Sequence, residues 1–305
     1  MNATVLDTIT TAFVDALQGG TNALAIFSIP LLVIFATIAF YVQVGSLVAG
    51  GGASVGDALA SVMLSCVKAG VFYWLLINLS SIATASFDTF LQWGMAAGGS
   101  FSAGSFRTPS TLIDLGFRAV LPIQQFMDRS AGWVAVWNYG NHVIYTLAKF
   151  TVLIAFFLVA LHLMMTIIEY HMAVLAGTVL IPWGVLQPTA FFTEFSIGWL
   201  TGGLVRVLVT GAIVGIAVPL FDLVAVNTTS GGDPSLYSAV VMAFTSLVFA
   251  ILAWVVPGRA AAIAGRGVSL ALHGGAIVAA AAGGLRGVLA TQAIIRGVSS
   301  LLRRR

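Results

Sequence analysis

The sequence predicts an all-α, polytopic helical membrane protein with five to six membrane segments, one of them short enough to be re-entrant, and with amphipathic helices at the surface. Two observations predict it. Of the 305 residues, 59% are apolar and only 8% are charged, against about 25% charged in a soluble domain; the mean hydropathy is +1.04. The apolar runs are also continuous, whereas the strands of a membrane β-barrel alternate. A chain that cannot hide its apolar surface from water, and whose runs satisfy their own backbone only as helices, belongs in a bilayer.

The elements follow in order. Residues 1–22 read as an amphipathic helix at the membrane surface, with Val5, Ile9, Phe13 and Leu17 on one face and Asp7 and Asp15 off it. Residues 23–79 hold the first two membrane segments, about Ala23–Val44 and Ala58–Leu79, joined by the Gly-rich turn at 50–56. No cleaved signal peptide is expected, because no Lys or Arg precedes the first apolar run. Residues 80–141 form a central extramembrane region, Ser/Thr/Gly-rich at 95–111 and helical around Leu112–Phe126. Residues 142–256 are the membrane core: Tyr145–Ile168, a short apolar stretch Met172–Leu186, then Ile197–Val226 and Tyr237–Val256. Residues 257–305 are a basic Gly/Ala-rich tail.

The core is broken at 181–199, IPWGVLQPTAFFTEFSIGW, by Pro182 and Pro188, with the acid Glu194 close behind. Proline lacks an N–H and restricts the residue before it, so helix ends or kinks there. At membrane depth such a break survives only where protein or water satisfies the freed backbone groups. Because Met172–Leu186 falls short of the roughly 20 residues of a full span, it is the segment expected to be re-entrant.

Charge is segregated. The tail carries seven arginines and no acid, while residues 1–256 carry six basic and ten acidic side chains. The positive-inside rule therefore puts the tail in the cytoplasm. Six spans would put the N-terminus there too, together with Arg107, Arg118 and Arg129; five would put it outside. The rule mildly favours six, since those arginines are matched by Asp88, Asp114 and Asp128.

Ionisable side chains inside the apolar segments are Lys68, Arg206 and Asp222. Each costs about 2.5–3.5 kcal/mol at mid-helix, which makes each a candidate for a polar conduit or a structural ion pair. Arg206 and Asp222 lie about 24 Å apart along a straight helix, so each needs a partner elsewhere. Lys149 has the position of a snorkelling anchor. His162, Glu169 and His171 cluster late in the third segment, but without the close spacing of metal ligands. No nucleophile elbow, zinc-protease motif or phosphate loop occurs. No enzyme activity, metal or cofactor is expected, and the single Cys66 supports no disulfide framework.

Gly198–Gly202, Gly211–Gly215 and Gly283–Gly287 are GxxxG pairs, which let helices approach closely within a chain or between subunits. In the tail, Arg286, Arg296, Arg303, Arg304 and Arg305 suit anionic membrane lipids or a nucleic-acid backbone.

The run IPWGVLQPTAFFTEFSIGWLTGGLVRVLVTGAIVGI resembles the hallmark region of the TrbL family, polytopic inner-membrane proteins of conjugative type IV secretion systems. The likeness rests on Pro182, Gly184, Pro188, Thr189, Ala190, Phe191 and Trp199, followed by a long apolar helix with Arg206. FVDALQGGTNALAIFSIPLLVIFATIAFYVQ and VVPGRAAAIAGRG extend it over most of residues 1–270. Many relatives carry a longer polar C-terminal extension, so functions housed there are not expected here.

The resemblance implies a non-enzymatic multi-pass subunit of the bacterial inner membrane. It implies a homo-oligomeric, pentameric ring that supports pilus biogenesis and the translocation of single-stranded DNA or protein. The implied partners are pilin, minor pilus subunits, other inner-membrane proteins of the machine, and the ATPases that supply its energy. It places the N-terminus and central region in the periplasm and the C-terminus in the cytoplasm, and so favours five spans. Phe101, Phe106, Phe117, Phe126, Trp133 and Trp137 are then candidate docking side chains for pilus subunits. The alternative class is a channel or secondary transporter for a small solute, which predicts a matching helix break in the first half; only Pro30 is available for it.

Overall fold

The computed structural model describes residues 4–49, 55–99, 108–129, 139–229 and 235–266, and no strand occurs among them. Among the described residues six α-helices follow one another: α1 Thr4–Ala49, α2 Val55–Ala97, α3 Pro109–Arg129, α4 Tyr139–Leu180, α5 Ala190–Thr229 and α6 Leu236–Arg266. Two 3-10 turns, Ile181–Val185 and Gln187–Thr189, separate α4 from α5. All but α3 are long and apolar enough to cross a membrane. The chain is an all-α, multi-pass membrane protein.

Several boundaries differ from those the sequence predicts, for identifiable reasons. The expected surface helix at the N-terminus and the first span are one helix of 46 residues. At about 1.5 Å per residue it is some 69 Å long, well beyond a hydrocarbon core of about 30 Å. Val5, Ile9 and Phe13 point outward, whereas Thr10 and Thr21 turn inward. Pro30 sits inside this helix without ending it. The second span runs on to Ala97, taking residues 80–97 out of the connecting region. Its hydroxyl-rich sequence stays helical because Thr84 and Thr89 donate to carbonyls one turn back, at 3.0 and 2.7 Å.

The stretch beginning at Met172 is not a separate re-entrant segment. It is the end of α4, which runs unbroken through Glu169 and His171. Inside α4, Thr166 donates to the His162 carbonyl at 2.9 Å and Thr178 to that of Val174 at 3.0 Å, and His171 Nδ1 lies 2.8 Å from the Ile167 oxygen. Thr166, Thr178 and His171 Nδ1 are thus met within the helix, which runs on through them. The break itself shrinks to 181–189, with α5 already begun at Ala190.

The long helices alternate in direction. One end of the bundle gathers the start of α1, the end of α2, α3, the start of α4 and the end of α5: Asp7 meets Ser110, Gly98 meets Gly215, and Gln124 meets Lys149. The opposite end gathers the start of α2, the break and the end of α6: Lys68 reaches Val185, and Gly265 lies against Gly198. Two apolar cores result. The larger joins α1, α2, α4, α5 and α6 around Leu76, Leu91, Leu163, Ile181 and Val207. The smaller seats α3 on α4, α5 and α6 through Leu115, Ile123, Val152, Phe221 and Met242.

Candidate functional site

The break is built like a plug. Pro182 and Gly184 are buried in it, and Ile181 is fully buried. A helix end leaves carbonyls without partners, and the Thr193 hydroxyl, on the first turns of α5, donates to those of Leu180 at 2.8 Å and Ile181 at 3.1 Å. The Thr189 hydroxyl donates to the Trp183 carbonyl at 2.9 Å. From α2, the Lys68 ammonium donates to the Val185 carbonyl at 3.4 Å. The freed backbone groups are thus met by side chains of this chain, as a break at membrane depth requires.

Only glycine fits at position 184. A Cβ there would come within 2.7 Å of the Thr193 hydroxyl oxygen and 2.8 Å of the Phe72 ring. Trp183 closes the other side against Phe35 and Phe192, with centroids 4.8 and 5.5 Å apart. Pro188 and Trp199 are exposed on the outside of this element.

Deeper in the bundle, Arg206 of α5 forms an ion pair with Glu169 of α4. The guanidinium side chain is 23% exposed and the carboxylate side chain 52%, so the pair opens onto the outer surface of the helix bundle. His162 lies two turns from Glu169 along the same face of α4, buried against Trp254 of α6 with ring centroids 5.5 Å apart. Lys68, expected as a conduit residue or ion-pair member, instead holds the break. Lys149, expected as a lipid anchor, donates to Gln124 of α3. Among the described residues no group of three His, Cys, Asp or Glu side chains is placed to hold a metal ion.

The two expected GxxxG pairs that lie in the described residues, Gly198–Gly202 and Gly211–Gly215, face helices of the same chain. Gly198 and Gly202 admit the backbone of α6 at Gly265 and Ala261, where an added Cβ would meet carbonyl oxygens at 3.0 Å. Gly211 and Gly215 admit α2, where it would meet the carbonyls of Leu91 at 2.8 Å and Met95 at 2.6 Å. Those faces are occupied within one chain, so the expectation that they join subunits meets a steric obstacle. The side chain of Asp222, the Gly283–Gly287 pair and Arg286, Arg296, Arg303, Arg304 and Arg305 lie outside the described residues. So do Phe101, Phe106, Trp133 and Trp137; of the other aromatic candidates, Phe117 is exposed and Phe126 packs on Tyr145.

The Glu169–Arg206 pair was missed from the sequence, although a signal for it exists. Two antiparallel helices joined at 181–189 face each other, and each carries one ionisable side chain on its side of the break, an acid at 169 and a base at 206. Gly94 and Gly98, which receive α5, were also missed. They form a GxxxG pair of their own, and that spacing was the signal for a close helix approach.

A comparison with curated proteins found no match. The family model described as TrbL/VirB6 plasmid conjugal transfer protein matches residues 32–256, which takes in α2 to α5, the break, the Glu169–Arg206 pair, the end of α1 and most of α6. With about three quarters of its length matched, the chain belongs to the TrbL/VirB6 plasmid conjugal transfer family.

Proposed function

We propose that this protein is a structural inner-membrane subunit of a type IV conjugative machine, without catalytic activity of its own. It supports pilus biogenesis and the passage of single-stranded DNA or protein, and acts as a homo-oligomeric ring alongside pilin, minor pilus subunits and the ATPases of the machine. The observation that carries this is the family match over residues 32–256. It is supported by a bundle in which Lys68, Thr189 and Thr193 plug one break and the Glu169–Arg206 pair ties α4 to α5.

The arrangement of the ends supports an orientation. Five crossing helices put the two termini on opposite sides of a membrane. The end that gathers the start of α2, the break and the end of α6 leads into the arginine-rich tail, which the positive-inside rule assigns to the cytoplasm. The N-terminus and α3 then face the periplasm, where the exposed Phe117 is available to pilus components. The arginines of the tail sequence suit anionic lipid at the opposite face.

Deletion of the gene from a conjugative donor tests the proposal. Transfer frequency and pilus number should both collapse and be restored by the full chain. The protein should also purify in an assembly far larger than one chain, together with pilin and transfer ATPases. Normal transfer by the deleted strain, or a small complex with saturable solute uptake, would reject it.

A further inference from the structure

One face of α5 is covered by α6 over only part of its length. Gly198 and Gly202 lie on it, and the α6 backbone rests against them. A Cβ added at Gly202 would meet the Ala261 carbonyl oxygen at 3.0 Å, and one at Gly198 would meet that of Gly265 at 3.0 Å. Moving forward along α6 thus moves the contact back along α5 by the same number of residues. At 3.6 residues per turn, Phe191 and Phe195 stand on the same α5 face, two turns nearer the break. There they are 58% and 68% exposed, with Glu194 partly exposed between them.

The chain that follows α6 is placed to cover this face. Gly265 rests on Gly198, about 12 Å along α5 from its first residue, Ala190. That stretch belongs to the apolar span Gln187–Phe221, where a lipid-facing backbone must satisfy its own hydrogen bonds, as a helix does. Val268 comes two residues after Arg266, a reach of about 7 Å at most. Ala261, Gly265, Val268 and Leu272 recur at the i, i+4, i+7 and i+11 positions of a single helix face. Carried on from the Gly265–Gly198 contact, the register sets Val268 level with Phe195, Ser269 with Glu194 and Leu272 with Phe191. Residues 267–285 contain no Lys, Arg, Asp or Glu, and Gly274 and Gly275 are a helix-stop signal. His273, just before that signal, falls level with Ala190, where α5 begins.

We propose that the face at Phe191, Glu194 and Phe195 is the docking site for residues 267–273 of the same chain, which carry α6 on by two turns to the level of the break. Val268 packs on Phe195 and Leu272 on Phe191, and the Ser269 hydroxyl donates to the Glu194 carboxylate. The docked turns back the start of α5, whose Thr193 plugs the break from the other side. They also fix Gly274 as the point from which the arginine-bearing tail leaves the bundle.

Paired cysteines in the full chain, oxidised in membranes after Cys66→Ser, test this. Two independent pairs report on the contact: Phe195→Cys with Val268→Cys, and Phe191→Cys with Leu272→Cys. Both should form disulfides within one chain, identified by mass spectrometry of the linked peptides and by a gel position at the mass of one chain. The control is Phe195→Cys with Leu270→Cys, since the same register turns residue 270 to the opposite side. It should link at least about fivefold less, because a disulfide closes only when the Cα atoms lie within roughly 7 Å. Equal linking at 268 and 270, or no linking in either pair, overturns the proposal. Links found only between two chains put a second copy on this face and also overturn it.

Discussion

Asp7, near the start of α1, accepts a hydrogen bond at 3.0 Å from the backbone N–H of Ser110, and its other carboxylate oxygen accepts from the Ser110 hydroxyl. Ser110 is in the first turn of α3. The first N–H groups of a helix have no partner within it, and its start carries a partial positive charge. A carboxylate from a helix more than a hundred residues earlier supplies both partner and counter-charge. Asp7→Ala should loosen α3 by about 0.5–2 kcal/mol, the usual cost of losing a cap. Hydrogen exchange checks this: amides at 109–113 should exchange faster, with those of α5 unchanged.

Removing one member of the Glu169–Arg206 pair leaves the other as an uncompensated charge in the bundle. Glu169→Leu or Arg206→Leu alone should destabilise the protein by about 2.5–3.5 kcal/mol. The double replacement should recover most of that loss, since apolar substitutes for an ion pair are often neutral. Unfolding of the purified chain in detergent micelles measures all three. A double variant as unstable as the singles would contradict the expectation.

The glycines divide into those another helix leans on and those that face open space. Gly94→Ala and Gly215→Ala would drive a Cβ to within 2.1 and 2.6 Å of carbonyl oxygens across the α2–α5 contact, and Gly184→Ala would strike Thr193 and Phe72. Each should cost about 1–3 kcal/mol or more. Gly19→Ala, inside α1 with nothing within 4 Å, should be neutral or stabilise by up to about 1 kcal/mol through helix propensity. Melting temperatures of the four variants, side by side, test the division.

Asp114 on α3 and Gln187 in the break are both exposed and lie at opposite ends of the bundle. After Cys66→Ser, Asp114→Cys should react with a membrane-impermeant thiol reagent in cells whose outer membrane has been opened. Gln187→Cys should react only after the inner membrane is permeabilised. The reverse pattern would invert the proposed orientation.

Much of this architecture was legible in the sequence, because length and apolar composition alone specify helices that cross a bilayer. The break was legible for a local reason: Pro182, Gly184 and Pro188 cannot continue a helix unaided. Helix ends were harder to see. Thr84 and Thr89 look like a loop until their hydroxyls are seen to bond within α2, and Glu169 with His171 looks like the end of a span until Arg206 arrives from the next helix. Thr193 carried no sign of its role, since a threonine reaching back to the previous helix is invisible without the fold. The glycine pairs announced close packing but not against which helix; that choice belongs to tertiary structure.

The placing of Glu169 and Arg206 on opposite sides of the break also bears on how the protein is made. Glu169 is synthesised 37 residues before Arg206, a lag of roughly 2–7 s at typical bacterial elongation rates. During that interval α4 offers the bilayer a lone carboxylate, which favours holding it at the insertion machinery. Once the plug at 181–189 has turned the chain, α5 delivers the guanidinium to the same level, and the two helices can leave for the lipid together as a neutral hairpin. The break thus times membrane insertion as well as shaping the finished bundle.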